Sequence, residues 1–411
     1  MADQQTSPFG VVDELNCYFD SPAEPNNVHL EAWIPGQLSE ERLRAAVAVM
    51  LTETPRARVR RASGGWWRAG YGWELPAEAD LDPLTVTVCR DQGELGVVRA
   101  RFLAAAPALG HSPLFRLLLA RGPEYDSLIL NAHHAAFDGR SCLLLLRLIA
   151  DQYSKNVPAP PRTVAGPPAP VSGRAPSRRT VRIASQHAHG RASGYGEFLL
   201  GWPEVPTVLQ PGATINDLLI AALIQTIARW NVARNQRPGR VQITMPVDIR
   251  PPGGEAELGN LSRLCTVTVD PAGTADLTAA VSEQTAWAKT HPGPAVSPML
   301  AAAARAPLPV AVKRGLVRLA LRSLGSLACD TSLLSNLGAV VDPPWFEALS
   351  PSRLWFSTSA HMPRGLSVGA VTVHGRLQLC FRYRNALFDK PAAHDFATEY
   401  TVALSELAGD R

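Results

Sequence analysis

The stretch at 129–139 constrains this chain more than any other, and it reads ILNAHHAAFDG. Its apolar first part, with the residues just before it, predicts a buried strand over 127–132, and Asp138-Gly139 predicts a turn after that strand. Neighbouring residues on a strand point to opposite faces. We therefore expect one of His133 and His134 to face a cavity and the other to face the core.

His134 is the residue to which we assign the chemistry. An imidazole at the end of a buried strand has a pKa near neutrality, which suits it to take a proton from an attacking alcohol or amine. Gly139 can adopt a positive φ, and we expect it to bring a backbone N–H close to the reacting group. A helix is predicted over 140–153 with Ser141 as its cap. Asp138, if buried, needs a cation or several donors to stay charged.

The pattern His-His-x-x-x-Asp-Gly resembles the signature of the chloramphenicol-acetyltransferase-like superfamily, which includes peptide-synthetase condensation domains, polyketide-associated acyltransferases, wax ester synthases and plant BAHD acyltransferases. The resemblance implies an α/β (α+β) fold of two subdomains, each a mostly antiparallel sheet with helices, that form a V-shaped cleft. It places His133, His134 and Gly139 in a catalytic site, with His134 as general base. The alternative is a core histidine pair in a hairpin without a catalytic role.

A second stretch, at 245–267, resembles another conserved region of the superfamily and contains MPVDIRPP and GNLSRLCTV. In the superfamily an arginine before a Gly-Asn turn pairs with the aspartate of the histidine motif. By position this arginine is Arg250, so the resemblance implies a buried Asp138–Arg250 pair that supports the site. The superfamily's first motif, a Gln-x-Arg-rich stretch, is not visible at 7–18.

Ser335-Asn336-Leu337-Gly338 looks like the Ser-Asn-x-Gly turn of the polyketide-associated acyltransferases. The resemblance implies that Ser335, Asn336 and Gly338 bind the substrate, at the donor carbonyl or at the pantetheine arm. A turn with no binding role is the alternative.

A helix predicted over 312–324 carries a basic flank. Two interpretations of this flank stay open, a solvated helix face and a landing site for coenzyme A phosphates or an acidic carrier protein. The flank consists of Lys313, Arg314, Arg318 and Arg322.

The length of 411 residues exceeds what one hydrophobic core usually serves, and a proline-rich segment interrupts the chain. We therefore predict an N-terminal subdomain at 1–155 with the histidine motif, a linker at 156–180 and a C-terminal subdomain at 181–411. Hydrophobic residues make up 46% of the chain and the net charge is +4, which indicates a compact protein and gives no case for nucleic acid.

The six cysteines lack the spacing of a metal or redox site, so we expect no metal and a reducing environment. No signal peptide and no membrane span are visible. The sequence therefore predicts a cytoplasmic monomer that binds no membrane.

The resemblance implies acyl transfer without a bound cofactor. An acyl group passes from acyl-CoA or from the phosphopantetheinyl thioester of a carrier protein to the hydroxyl or amine of a small natural-product intermediate. The expected partners are that small acceptor and an acyl or peptidyl carrier protein. A non-catalytic docking platform for carrier-bound substrate is the alternative, although such members of the superfamily typically lose the second histidine, and His134 is present here.

Overall fold

The computed structural model of this chain describes residues 6–65, 67–155, 180–186, 194–202, 204–206, 208, 211–251, 256–290, 298–328, 330–341 and 343–409. Apart from Thr180, the predicted linker at 156–180 lies outside these residues. The subdomain boundaries drawn from it stay a prediction.

The elements before the linker are β1 (Thr6–Pro8), α1 (Val11–Phe19), β2 (Asn27–Pro35), α2 (Glu40–Glu53), β3 (Arg60–Arg61), β4 (Gly72–Glu74), β5 (Leu84–Val88), α3 (Gln92–Leu103), β6 (Phe115–Arg121), β7 (Tyr125–His133) and α4 (Gly139–Tyr153).

The elements after the linker are β8 (Tyr195–Gly201), α5 (Ile215–Val232), β9 (Val241–Asp248), β10 (Ser262–Val269), α6 (Leu277–Thr290), α7 (Pro298–Arg305), α8 (Val310–Ala328), β11 (Ser332–Val340), β12 (Arg353–Thr358), β13 (Leu366–Val373), β14 (Arg376–Arg384) and α9 (Lys390–Ala408).

Two larger sheets carry the fold. The first has the order β12-β2-β7-β6-β5 and is antiparallel except for the β5–β6 pair. The second has the order β10-β9-β11-β13-β14-β8, in which β11 runs parallel to both of its neighbours. The short strands β1, β4 and β3 form a third, antiparallel sheet. The predicted α/β class, with two units of sheet and helix, is confirmed.

One strand of the first sheet comes from the far end of the chain. β12 pairs antiparallel with β2, with Leu354 opposite Ala32 and Phe356 opposite Leu30. The sequence did not predict that β12 joins the first sheet, because a run of six residues does not show which sheet edge it will pair with.

The alternation along β2 explains how the first sheet is buried on both faces. Val28, Leu30, Ala32 and Ile34 share one hydrophobic core with apolar residues of α2 and α4. The intervening residues Asn27, His29 and Glu31 are polar and fully buried on the other face. Buried polar groups need partners, and the second sheet supplies several of them.

A charged network centred on His29 joins the two sheets. Its Nδ1 lies 2.9 Å from Glu197 Oε2 on β8, and its Nε2 lies 3.2 Å from Glu31 Oε2 on β2. Arg99 donates two hydrogen bonds to Glu31, at 2.5 and 2.6 Å, and Ser357 Oγ donates to Glu197 at 2.6 Å. Because each ring nitrogen faces a carboxylate, both must carry hydrogen, and His29 is an imidazolium in this structure.

This imidazolium should make the stability of the protein depend on pH. Burial acts to lower the pKa of His29, but Glu197 and Glu31 outweigh it and raise that pKa above its ordinary value. A raised folded-state pKa stabilises the protein fully below the unfolded pKa of about 6.5, and this contribution is lost as the pH rises through the folded pKa. We expect the free energy of unfolding to fall with pH in that window, by up to about 1.4 kcal/mol per pH unit.

Urea unfolding at a series of values between about pH 6 and pH 9 measures this slope. The matched control is His29→Gln, which cannot titrate, so the difference in stability between the two proteins should shrink as the pH rises. Parallel curves for the two proteins would show that His29 does not titrate in this window.

Candidate active site

The histidine motif sits where a buried strand passes into a helix. β7 ends at His133, and the backbone N–H of His134 donates to the carbonyl of Asn26 at 2.9 Å. α4 begins at Gly139, and Asp138 caps it by accepting from the N–H of Ser141 at 2.8 Å. The predicted cap at Ser141 is therefore wrong, because the extended backbone at Asp138 lets its carboxylate reach the orphan N–H groups of the first turn.

His133 is fully buried and has a fixed tautomer. Its Nδ1 accepts from the N–H of Ala135 at 3.0 Å, so the ring hydrogen is on Nε2, which lies 3.7 Å from Asp20 Oδ2. Burial would raise the pKa of Asp20, but His133 and the N–H of Asn26 lower it. The carboxylate is thus available to attract that N–H. These contacts let His133 support the loop, and its catalytic role stays a prediction.

His134 is the more exposed of the two histidines. Its Nδ1 is enclosed and has no hydrogen-bond partner within the described part of the chain. Burial lowers the pKa of His134 below its ordinary value, against the opposing charge of Asp138. A lowered pKa keeps the imidazole neutral at physiological pH, and only the neutral ring can accept a proton.

The structure brings Asp138 and Arg250 together as a bidentate ion pair. Arg250 donates from Nη1 to Asp138 Oδ2 at 3.1 Å and from Nη2 to Asp138 Oδ1 at 3.0 Å. Its other three N–H groups reach Ser141 Oγ, Asp248 Oδ1 and the carbonyl of Glu257, so all five donors of the guanidinium are used. Both side chains of the pair are at most 6% exposed. A pair so buried and so fully bonded has one favoured geometry.

Asn260 is a site residue that the sequence analysis named only as part of a Gly-Asn turn. Its Nδ2 donates to the carbonyls of His134 at 2.8 Å and Ala135 at 2.7 Å, and it also contacts Asp13 Oδ1 at 3.1 Å. The neighbouring N–H of Leu261 donates to Asp138 at 2.9 Å. The turn therefore holds the histidine loop from the side of the second sheet. Asp13 lies on α1, in the segment where the superfamily's first motif is not visible.

Gly139 is required by a close approach and does not use the positive φ that a glycine can adopt. It is the first residue of α4 and is absent from the positive-φ glycines of the described chain. A Cβ at this position would lie 2.5 Å from the ring of Phe356 and 3.0 Å from Leu337. As the first helical residue, Gly139 also has a backbone N–H without an intrahelical acceptor.

The predicted turn at 335–338 is part of a strand. Ser335, Asn336 and Gly338 lie on β11, which is irregular between Asn336 and Ala339 where it pairs with β13. Asn336 Oδ1 accepts from the N–H of Gly338, whose φ is 77°, so the Asn-x-Gly pattern produces a bulge instead of a chain reversal. The side chain of Leu337, between Asn336 and Gly338, lies next to Gly139. Substrate binding by Ser335, Asn336 and Gly338 stays a prediction.

The basic flank of α8 makes internal contacts where its side chains are described. Lys313 is buried and donates to Glu14 Oε1 at 2.7 Å, and Arg314 donates to the carbonyl of Asp20 at 2.9 Å. Arg318 reaches the carbonyls of Tyr18 and Asp20. These three cations fasten α8 to α1. The buried Lys313 is therefore part of neither a solvated face nor a landing site, whereas both interpretations stay open for the partly exposed Arg314 and Arg318. The side chain of Arg322 lies outside the described residues.

In the described part of the chain, one group of side chains has the residue types of a metal site, namely His29, Glu197 and Cys380. Two of the three already form the ion pair between the sheets, and Arg382 Nε lies 3.8 Å from Glu197. We therefore propose no metal there. No helix in the described part of the chain has both the length and the apolar character needed to cross a membrane.

No protein-family model matches the chain. It is similar to two proteins of Mycobacterium tuberculosis, the uncharacterized protein Rv2305 of strain H37Rv and the uncharacterized protein MT2362 of strain CDC 1551 / Oshkosh. Each is 30% identical over an alignment of 437 positions, which covers 97% of this chain and 99% of the relative. The chain belongs to the family of these mycobacterial proteins.

Solved structures similar to this chain are condensation domains and related proteins. The first condensation domain of the calcium-dependent antibiotic synthetase, in complex with a substrate analogue, has a TM-score of 0.68 at 16% identity, with 98% of this chain and 97% of that chain covered. SgcC5 of Streptomyces globisporus has a TM-score of 0.65 at 16% identity, with 98% and 99% covered.

A mutant of the starter condensation domain of rhizomide synthetase RzmA, in complex with C8-CoA and Leu-SNAC, has a TM-score of 0.64 at 14% identity, with 98% of this chain and 95% of that chain covered. This chain therefore has the condensation-domain fold, and the predicted resemblance to the chloramphenicol-acetyltransferase-like superfamily is confirmed at the level of the fold.

Proposed function

We propose that this protein is an acyltransferase. It moves an acyl group from a CoA or carrier-protein thioester to the hydroxyl or amine of a natural-product intermediate, with His134 as general base. The observation that carries the proposal is the state of His134, a partly exposed imidazole that burial keeps neutral, on a loop held by Asp138, Arg250 and Asn260. The binding of C8-CoA and Leu-SNAC by the rhizomide starter domain supports thioesters as donors.

In the proposed mechanism, His134 accepts the proton of the acceptor hydroxyl or amine as that group attacks the thioester carbonyl. The new C–O or C–N bond gives a tetrahedral oxyanion, for which the free N–H at the start of α4 is a suitable donor. Collapse of this intermediate breaks the C–S bond, and the proton held by His134 goes to the leaving thiolate. No covalent acyl-enzyme is needed, because a thioester is already an activated acyl group.

Release of free thiol from a panel of donors tests this proposal. Short and long acyl-CoAs and an acylated carrier protein would be offered with a mixture of small alcohols and amines, beside a blank without protein. We expect thiol release that requires both an acceptor and the protein, and the donor consumed fastest identifies CoA or carrier protein as the natural carrier. No release above the blank, together with binding of the acylated carrier protein, would replace acyl transfer by the docking-platform alternative.

A further inference from the structure

A cavity of about 820 Å³ lies beside the histidine loop, within the size range of small-molecule sites. Much of its wall is apolar and comes from α1, the turn before β10 and α7, including Val11, Val12, Leu258, Leu261 and Ala301. Asn260 also lines it, and the same amide donates to the carbonyl of His134. His134 is not among the described lining residues. One residue thus connects the cavity to the candidate base.

Two arginines line this cavity, and their guanidinium groups make no hydrogen bond or ion pair within the described part of the chain. Arg56 is partly buried, and its Cζ lies 5.3 Å from the ring centroid of the buried Trp73. Arg305 is exposed, at the end of α7. A partly buried guanidinium without an acceptor lacks the hydrogen bonds that would offset its loss of water.

The acidic residues of the same wall do not satisfy these arginines. Asp13 Oδ1 accepts from Asn260, and its Oδ2 accepts from Trp73 Nε1 at 3.0 Å and from the N–H of Gly10 at 3.2 Å. Glu257 is exposed. Burial lowers the pKa of Arg56, while the charges of Asp13 and Glu257 oppose that change. Both acids act on Arg56 through space, so its N–H donors stay open.

From this geometry we infer that the cavity binds an oxyanion of the substrate, with Arg56 as the main partner and Arg305 as the second. A planar guanidinium fork fits phosphate and carboxylate equally well. The oxyanion is therefore the phosphate of a CoA or phosphopantetheine donor, or the carboxylate of an acceptor. The oxyanion site itself is inferred from the cavity alone. The identity of the molecule that carries the oxyanion, a donor or an acceptor of acyl transfer, rests on the proposed function.

Calorimetric titration tests the site without any turnover. The phosphate arm compares coenzyme A with pantetheine, which lacks the phosphates, and the carboxylate arm compares free amino acids with their amides. We expect the anionic member of one pair to bind more tightly than its partner. Arg56→Gln should weaken that binding roughly 10- to 100-fold, the effect of losing a charge-assisted hydrogen bond, and leave the uncharged probe unaffected. Arg305→Gln should weaken it less, because that side chain is exposed.

The matched control is Arg353→Gln. Arg353 also stacks on a tryptophan, with its Cζ 5.1 Å from the ring of Trp33, but it is not among the described residues of the cavity wall. Arg56→Lys keeps the charge without the fork and should restore part of the affinity. If Arg56→Gln fails to fold, the paired probes still test oxyanion binding on the wild type and on Arg305→Gln.

The inference is overturned if neither probe pair discriminates on the wild type, or if a folded Arg56→Gln binds the anionic probe as the wild type does. Tight binding through Arg56 without thiol release from any donor would leave the site standing and remove the proposed function. Thiol release from a donor, with no discrimination within either probe pair, would leave the proposed function standing and remove the oxyanion site.

Discussion

Replacing His134 with alanine should lower the rate of acyl transfer by about 10²–10⁴-fold, the usual contribution of a general base. The substitution removes the only neutral, partly exposed imidazole of the motif, while Nδ1 gives up no hydrogen bond within the described chain. The fold should therefore survive, because the ion pair of Asp138 does not use the ring and Asn260 keeps its hydrogen bonds to the carbonyls of His134 and Ala135. Initial rates of thiol release with the preferred donor, set beside thermal unfolding, measure both effects.

The pH dependence of the wild type gives an independent check on this role. Because burial lowers the pKa of His134, the ring stays neutral to below its ordinary value of about 6.5, and activity should fall only on the acid side of that value. His133→Gln is the comparison, since it should reduce stability through lost contacts with Ala135 and Asp20. A His134→Ala protein that retains more than about a tenth of the wild-type rate would remove His134 from the chemistry.

The local part of this site was readable from the sequence because its residues are adjacent in the chain. The strand, the loop and the helix that present His134 follow from one apolar run, an Asp-Gly pair and a second apolar run. The helix begins one residue earlier than predicted, at Gly139, because Asp138 takes the capping position. Such boundary errors arise where two polar residues compete for the same orphan N–H groups.

The Asp138–Arg250 pair spans 112 positions of sequence, and only the resemblance to a known superfamily pointed to it. Local patterns say that a buried carboxylate needs a cation, but they do not say which cation. The same limit explains the error at Lys313, whose partner Glu14 is 299 residues away. The sequence pattern around a basic helix residue is the same whether the side chain faces water or a distant acid. Only the tertiary contacts distinguish these two cases.

The cavity lined by Arg56 and Arg305 and the pairing of β12 with β2 also could not be predicted from the sequence. Arg56 follows a proline-terminated helix, and Arg305 ends another helix far along the chain, so no motif joins them. Gly139 shows the same limit of the sequence for a single atom, the Cβ that the site cannot accommodate. The sequence signals a backbone requirement, whereas the actual constraint is the ring of Phe356 on a strand from the other half of the chain.

Removing one side of the Asp138–Arg250 pair should cost about 3–5 kcal/mol of stability. Asp138→Ala leaves the guanidinium of Arg250 buried with two of its five N–H groups unsatisfied, and it removes the cap of α4. Arg250→Ala leaves the carboxylate without its cation but still bonded to the N–H groups of Ser141 and Leu261. Asp138→Ala should therefore be the more damaging change, as urea unfolding of each variant would measure.

The double variant separates pairing from simple loss of packing. If each single change is costly because it strands a buried charge, the Asp138→Ala/Arg250→Ala protein should be more stable than the sum of the single costs allows, by more than about 1 kcal/mol. The comparison pair is Arg229–Glu406, whose side chains are 42% and 48% exposed. Its coupling should stay below about 1 kcal/mol, because water screens both charges. Additive costs at Asp138 and Arg250 would mean that the two side chains support the histidine loop separately, through Ser141 and Glu257, and not as a pair.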